Sequence, residues 1–335
     1  MTHIKKDFHT TAKAILLNIG LAITLISCGG GGGGGSTYPS ITYSGATGAA
    51  TVDTTNAADF PVTFLEGSTS SAEANPYAII TDSNTSKTAQ HTAMLSILAD
   101  QVKNNIIAHQ NNSDNNLVSA ATQTSSGTCT SNAGSLTFTD NSTSTNLSGS
   151  FTYDNYCLEV LGVKIIQHGK LNYSGSLTLS GNQPIFQSMT LSVEYIKLTV
   201  ITNTETITEE FSGSMTITFD GTIYNDVTGM TITTNFESGG LTYKIQNLVV
   251  DTSSGLNISG RFYHPTHGYV DVTTTTNFNL VNTNPDEYCG GVLRLTGSSG
   301  DIIDFTDTSG NCTSYMVCVT PNGGSPSCQP GLTWP

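Results

Sequence analysis

Leu171-Asn172-Tyr173-Ser174-Gly175-Ser176-Leu177-Thr178-Leu179-Ser180 decides the fold. Apolar residues stand at odd positions, and small polar residues stand between them. A period of two is the mark of a strand with one dry and one wet face. The same alternation recurs at Met215, Ile217 and Phe219; at Met230 and Ile232; at Leu241, Tyr243 and Ile245; at Leu256, Ile258 and Phe262; and at Val270, Val272, Phe278 and Leu280. Ser180-Gly181-Asn182, Asp220-Gly221, Ser238-Gly239-Gly240 and Ser253-Ser254-Gly255 punctuate these runs at hairpin spacing. The expectation is a mainly β protein: a large, curved antiparallel meander of about ten or more strands, open or closed into a partial barrel.

One segment breaks the pattern. From about residue 86 to 110, Met94, Leu98, Val102 and Ile106 recur every fourth residue, Leu95 and Ile97 widen the stripe, and Thr85 or Ser86 caps the start. This predicts one amphipathic helix packed on the sheet, because an apolar stripe of this kind needs a surface to cover. Ahead of it, Pro61 to Leu65 and Tyr77 to Ile80 read as two short strands.

The N-terminal portion carries a different signal. Lys5, Lys6 and Lys13 precede an apolar run from Ala14 to Ile26 that is too short to span a bilayer, so residues 1-27 read as a secretory signal peptide. Leu25-Ile26-Ser27-Cys28, followed by glycine from Gly29 to Gly35, resembles the lipobox of bacterial lipoproteins. That resemblance implies cleavage before Cys28, acylation of Cys28 with diacylglycerol and palmitate, and anchoring of the chain to the membrane by lipid. Gly29 stands where the Gram-negative pattern places the aspartate that retains lipoproteins at the inner membrane, so the implied address is the outer membrane. Residues 28-60, rich in Gly, Ser, Thr and Ala, read as a flexible tether whose seven glycines span on the order of 15 Å. The glycine run is not a phosphate cradle: no strand precedes it and no Gly-Lys-Ser/Thr follows.

Residues 61-335 then form a single β-rich domain with a disulfide-stapled C-terminal tail. Without residues 1-27, which carry +2, the formal charge of the rest is −14 − 2 = −16. Nucleic acid and anionic membrane surfaces both need a basic footprint, so neither fits as a partner. Six cysteines remain beside Cys28: Cys129, Cys157, Cys289, Cys312, Cys318 and Cys328. An even number in an exported chain reads as three disulfides. Cys129 and Cys157 stand apart from the rest and are expected to pair; the last four pair among themselves in an order that spacing leaves open.

Stretches of the strand region, namely Cys129-x-x-x-x-Gly134-Ser135-Leu136, Phe151-Thr152-Tyr153-Asp154-Asn155-Tyr156-Cys157, Gly175-Ser176-Leu177-Thr178 and Gly291-Val292-Leu293-Arg294-Leu295-Thr296-Gly297, resemble β-rich cell-envelope lipoproteins with glycine tethers. The resemblance implies fold and address and carries no activity with it.

Candidate chemistry is sparse. His264 and His267, in a Tyr-His-Pro-Thr-His-Gly turn, are the nearest approach to a metal pair but lack the third ligand that zinc requires. Asp301, Asp304 and Asp307 recur every third residue, without the alternate-residue spacing of a calcium loop. Glu209, Glu210 and Glu194 are candidates for a glycosidase-type carboxylate pair. No nucleophile elbow, His-Glu-x-x-His helix or dinucleotide fingerprint occurs, and no cofactor is expected. The reading is a non-enzymatic structural or surface-binding module at the cell envelope. Its rivals are a carrier enclosing a lipid or other apolar ligand between helix and sheet, and a hydrolase assembled from distant residues.

Overall fold

The structure is a computed structural model that describes residues 38–57, 60, 87–112, 121–160, 162–181, 183–202, 206–222, 224–280, 288–307 and 314–333. Cys28, Cys312, the two short strands expected between residues 61 and 80, and the caps Thr85 and Ser86 lie outside these residues.

The strands are β1 (Ala121–Ser126), β2 (Ser135–Asp140), β3 (Asn146–Val160), β4 (Val163–Ser180), β5 (Gln183–Ile201), β6 (Thr206–Phe219), β7 (Val227–Ser238), β8 (Leu241–Asp251), β9 (Asn257–His264), β10 (Gly268–Thr276), β11 (Asn279–Leu280), β12 (Tyr288–Cys289), β13 (Val292–Thr296), β14 (Ile302–Asp307), β15 (Ser314–Thr320) and β16 (Ser327–Thr333). Fourteen of them form one antiparallel meander in the order β1 to β10, then β13 to β16, while β11 and β12 pair as a separate two-stranded sheet. β1 and β16 do not pair with each other, so the sheet stays open. All four glycine-containing turn signals fall between consecutive strands, from β4–β5 to β8–β9.

A line of irregularities crosses the sheet. Register shifts occur at Tyr153/Tyr156, Lys170/Leu171, Val193/Ile196, Ile232/Thr234 and Gln246/Val249. Each bulge bends its strand and increases its twist, so a row of them at one level creases the sheet. Gly213 has φ 138°, and a Cβ there would run into the Thr233 carbonyl of β7, so the crease at this point needs glycine.

The helix predicted near residues 86 to 110 is α1, Lys87–Asn112. Met94, Leu95, Leu98, Val102 and Ile106 are all buried, and Leu95, Leu98, Val102 and Ile106 join Phe151, Phe186, Phe211, Phe236, Phe262 and Phe305 of the sheet in one core. The face bearing these phenylalanines is the inner face. Near its start α1 touches β6 and β7 through His91, and ten residues later it touches β3 and β4 through Gln101. Ten residues of helix rise about 15 Å. Three strand spacings, from β7 to β4, are about 14 Å. The helix therefore lies across the strands as a crossbeam.

Composition places the tether's end near residue 60, whereas residues 38–52 dock on the sheet as a strap. Tyr38 stacks on Tyr195, with ring centroids 6.0 Å apart, and meets His168 edge-on. The Ile41 carbonyl accepts from Ser212 Oγ at 3.2 Å and Asn235 Nδ2 at 3.0 Å. The Tyr43 hydroxyl donates to the carbonyls of Ala46 (2.6 Å) and His264 (3.0 Å), and burial, aided by Tyr263, pushes its pKa up to about 12. Ala49 bridges Tyr269 in parallel, and Ala50, Val52 and Phe60 end in the core. A few anchors, Tyr38, Ile41 and Tyr43, give this stretch its places to bind, although its composition is otherwise that of a linker.

The cysteine reading holds for two pairs: Cys129–Cys157 and Cys318–Cys328 are disulfide-bonded. Cys318 faces Cys328 across β15 and β16, and β16 also carries Pro330, which has no N–H to offer a further strand.

Candidate functional site

Glu209 sits in Ile207-Thr208-Glu209-Glu210-Phe211 on β6, in phase with the apolar residues, and so points to the inner face. Thr234 is likewise in phase with Ile232 and Phe236 on β7. α1 brings His91 between them. His91 Nδ1 is hydrogen-bonded to Glu209 Oε1, and His91 Nε2 lies 2.8 Å from Thr234 Oγ1. Carboxylate, imidazole and hydroxyl thus stand in the order used by nucleophilic hydrolases.

All three side chains are closed off from solvent. His91, Glu209 and Thr234 are 0%, 1% and 2% exposed. The imidazole stacks on Phe236 at 4.1 Å between centroids and meets Phe211 edge-on. Phe211 and Phe236 are register partners, and so are Ser212 and Asn235 on the opposite face. Two adjacent rungs of the β6–β7 ladder are therefore gripped, one from inside by His91 and the next from outside by the Ile41 carbonyl. This polar row fixes where the helix sits. A second one works in the same way: Gln167 Nε2 donates to Gln101 Oε1 at 3.0 Å, and Tyr153 Oη donates to the same oxygen at 3.4 Å. Buried polar groups that find partners in only one arrangement specify register.

The candidate carboxylates do not come together as a pair. Glu209 faces inward and Glu210 outward, where Lys197 holds it at 2.8 Å. Glu194 accepts from Lys170 at 2.7 Å and Asn172 at 2.9 Å, and the Lys170 hydrogen bond, then that of Asn172, holds its pKa below the usual range.

The aspartate series also separates. Asp301, 5% exposed, accepts from the Val52 N–H at 3.1 Å and the Asn322 N–H at 2.8 Å, tying the strap to the β15–β16 turn. Asp304 forms a two-pronged pair with Arg294 at 2.7 and 2.8 Å. The Asp307 side chain lies outside what is described. His264 and His267 do come together, stacked with centroids 4.5 Å apart beside Phe60. Among the described residues no group of three or more His, Cys, Asp or Glu side chains is arranged to hold a metal ion.

Asp301→Ala strands the buried Val52 N–H and removes the acceptor of the Asn322 N–H, and is expected to cost about 1–3 kcal/mol in denaturant unfolding. Asp301→Asn, which keeps one acceptor oxygen, falls between. A loss below about 0.5 kcal/mol would show that the strap is not held there.

The outer face has its own order. Ser148, Ser174, Thr190, Thr216 and Thr231 are successive register partners across β3 to β7. Thr122, Thr139, Ser150, Asn172, Ser192, Ser214 and Thr233 form a parallel row from β1 to β7. Neighbouring hydroxyls bond one another, as in Thr190–Thr216 at 3.0 Å and Ser176–Ser188 at 3.1 Å. Residues of one row are spaced by about 4.8 Å, the distance between strands. A groove of about 370 Å³ opens on this face over β6 to β8, not between helix and sheet.

Four carboxylates near turns and strands have pKa values held low: Asp53 by Thr55, Asp220 by Thr222, Asp251 by Ser253 and Glu194 by Lys170. A depressed carboxylate pKa contributes stability above the unfolded value that is lost as pH falls through the folded one. The melting temperature is therefore expected to hold near neutrality and fall once the pH drops below roughly 4. A flat profile down to about pH 3 would contradict these turns.

Among the described residues no helix is long and apolar enough to cross a membrane. No protein-family model, curated protein or solved structure matches the chain.

Proposed function

We propose that the chain is a lipid-anchored protein of the cell envelope, acylated at Cys28 and held at the outer membrane, where it acts as a non-enzymatic structural or surface-binding module. The anchor rests on the lipobox-like Leu25 to Cys28 stretch and the glycines behind it. The observation that carries the binding role is the outer face: uncharged hydroxyl rows across β3 to β7, opposite the apolar core and separate from the buried polar row that resembles a catalytic set. A surface so regular, on a sheet stiffened by a helix and a strap, suits recognition better than turnover.

The test uses the full-length chain expressed in a Gram-negative host. Alkyne-palmitate labels it and detergent phase separation carries it with lipid, and Cys28→Ala abolishes both. Immobilised envelope fractions retain the purified chain, and Thr190→Lys with Thr216→Lys, which set two charges into the central row, lower retention about tenfold with the melting temperature unchanged. Unlabelled wild type, retention indifferent to the lysines, or turnover of an ester or glycoside panel would overturn the reading.

A further inference from the structure

Asn322-Gly323 is the one Asn-Gly pair in the chain, and it stands in the turn between β15 and β16. Both residues are exposed. The Gly324 N–H donates to the Pro321 carbonyl at 2.8 Å and Gly323 has φ 68°, so the pair forms the centre of a tight turn whose second central position calls for glycine. A Cβ at Gly323 would meet nothing within 4 Å, so the space beside this residue is open. The Asn322 carboxamide makes no hydrogen bond among the described residues, whereas its backbone N–H is held by Asp301 Oδ1 at 2.8 Å.

These are the conditions under which an asparagine side chain reacts with its own backbone. The Gly323 amide nitrogen loses its proton and attacks Asn322 Cγ, closing a five-membered succinimide, and the carboxamide nitrogen leaves as ammonia. Glycine favours the step because it brings no side chain against the closing ring and leaves the backbone free to turn. Water then opens the ring. Addition at the side-chain carbonyl gives aspartate; addition at the main-chain carbonyl gives isoaspartate, in which the chain runs through Cβ and Cγ and gains one bond. Ammonia and water are the only other species exchanged. Asp220-Gly221, the one Asp-Gly pair, is held back from the same cyclisation, since its carboxylate accepts from the Thr222 N–H at 3.0 Å and Thr222 Oγ1 at 2.6 Å.

We propose that Asn322 is a deamidation site and that its conversion acts on the strap through Asp301. This carboxylate, 5% exposed, accepts the Asn322 N–H on Oδ1 and the Val52 N–H, at 3.1 Å, on Oδ2. Conversion sets a second carboxylate on the very residue whose N–H Asp301 holds. Two like charges then stand within a few ångströms of each other and repel. Isoaspartate in addition lengthens the path between the Pro321 carbonyl and the Gly324 N–H, which undoes the turn that aims the Asn322 N–H at Asp301. Either product loosens the grip of Asp301 on Val52. β16 itself stays in place, because Cys318–Cys328 clips it to β15 beyond the turn. The strap therefore lifts more easily as the molecule ages.

The full-length chain in detergent is held at mildly alkaline pH, sampled over days, digested and sequenced by mass spectrometry with electron-transfer fragmentation, which distinguishes isoaspartate from aspartate. Asn322 is expected to convert about tenfold faster than the asparagines within the strands. Amide hydrogen exchange at Val52 is expected to run about threefold faster in the converted chain than in the fresh one. Asn322→Gln, whose longer side chain closes a ring far more slowly, keeps Val52 at its fresh rate after the same incubation. Fresh Asn322→Asp, which supplies the charge without the longer backbone, shifts the exchange in the same direction as ageing. Conversion at Asn322 no faster than in the strands overturns the site. A fully converted chain whose Val52 exchanges no faster than in aged Asn322→Gln overturns the link to the strap.

Discussion

Glu209→Ala is expected to lower the unfolding free energy by about 3–5 kcal/mol, among the largest effects of any single substitution in this chain. Removing the carboxylate leaves the His91 imidazole without its Nδ1 partner in a site from which water is excluded. The orphaned group, and not the net value of the pair, sets the loss. His91→Ala should cost a similar amount, because Glu209 then loses the imidazole and Phe236 its stacking partner. The double variant His91→Leu with Glu209→Met should be much less damaging than the sum of the single replacements, since two apolar side chains of similar volume need no partners. Guanidinium unfolding of the wild type, His91→Leu, Glu209→Met and the double variant in a double-mutant cycle gives the coupling directly. Additive losses, or a Glu209→Ala effect below about 1 kcal/mol, would mean that the polar row does not lock the helix.

The Cys129–Cys157 bond carries the second large effect. It closes a loop of 28 residues, for which chain entropy gives about 3.5 kcal/mol of stability, against about 2.5–3 kcal/mol for the 10-residue loop of Cys318–Cys328. Its surroundings add to the contrast, because the loop it closes is laid back on β3 by two backbone hydrogen bonds, Thr128 N–H to the Cys157 carbonyl and Cys157 N–H to the Ala133 carbonyl, both 2.8 Å. Replacing each pair by serine and comparing denaturation midpoints should rank Cys129–Cys157 above Cys318–Cys328. The reverse order would show that the clip across β15 and β16 matters more to the native sheet than loop length does to the unfolded chain.

The alternation beginning at Leu171 and the four-residue recurrence from Met94 to Ile106 were enough to read the meander and its helix, because both follow from side-chain direction along one element. Direction also held the clue to the buried polar row. Glu209 lies in phase with Ile207 and Phe211, and His91 falls on the stripe with Leu95, Leu98 and Val102. An acid and an imidazole on dry faces each require a partner. Which partner they find depends on the order of strands and the angle of the helix, and no local period encodes either. The strap escaped for a related reason. Tyr38, Ile41 and Tyr43 reach partners more than a hundred residues away, and linker-like composition around them hides three anchors. The aspartate series shows that a regular spacing in sequence need not gather side chains, since it places Asp301 under the strap and Asp304 against Arg294.

The strap has a mechanical consequence. A pull on the N-terminus arrives first at Tyr38, then at Ile41 and Tyr43, and only afterwards at Val52, whose N–H is tied to Asp301. Because these attachments lie in sequence across different strands, a tensile load breaks them one after another, as tape peels, instead of loading them together. Released as far as Val52, the fourteen residues from Tyr38 yield up to roughly 50 Å of slack. The core of the sheet and its crossbeam then carry the full load only after that length has paid out, so the strap would shield the folded body from a pull on the N-terminal side.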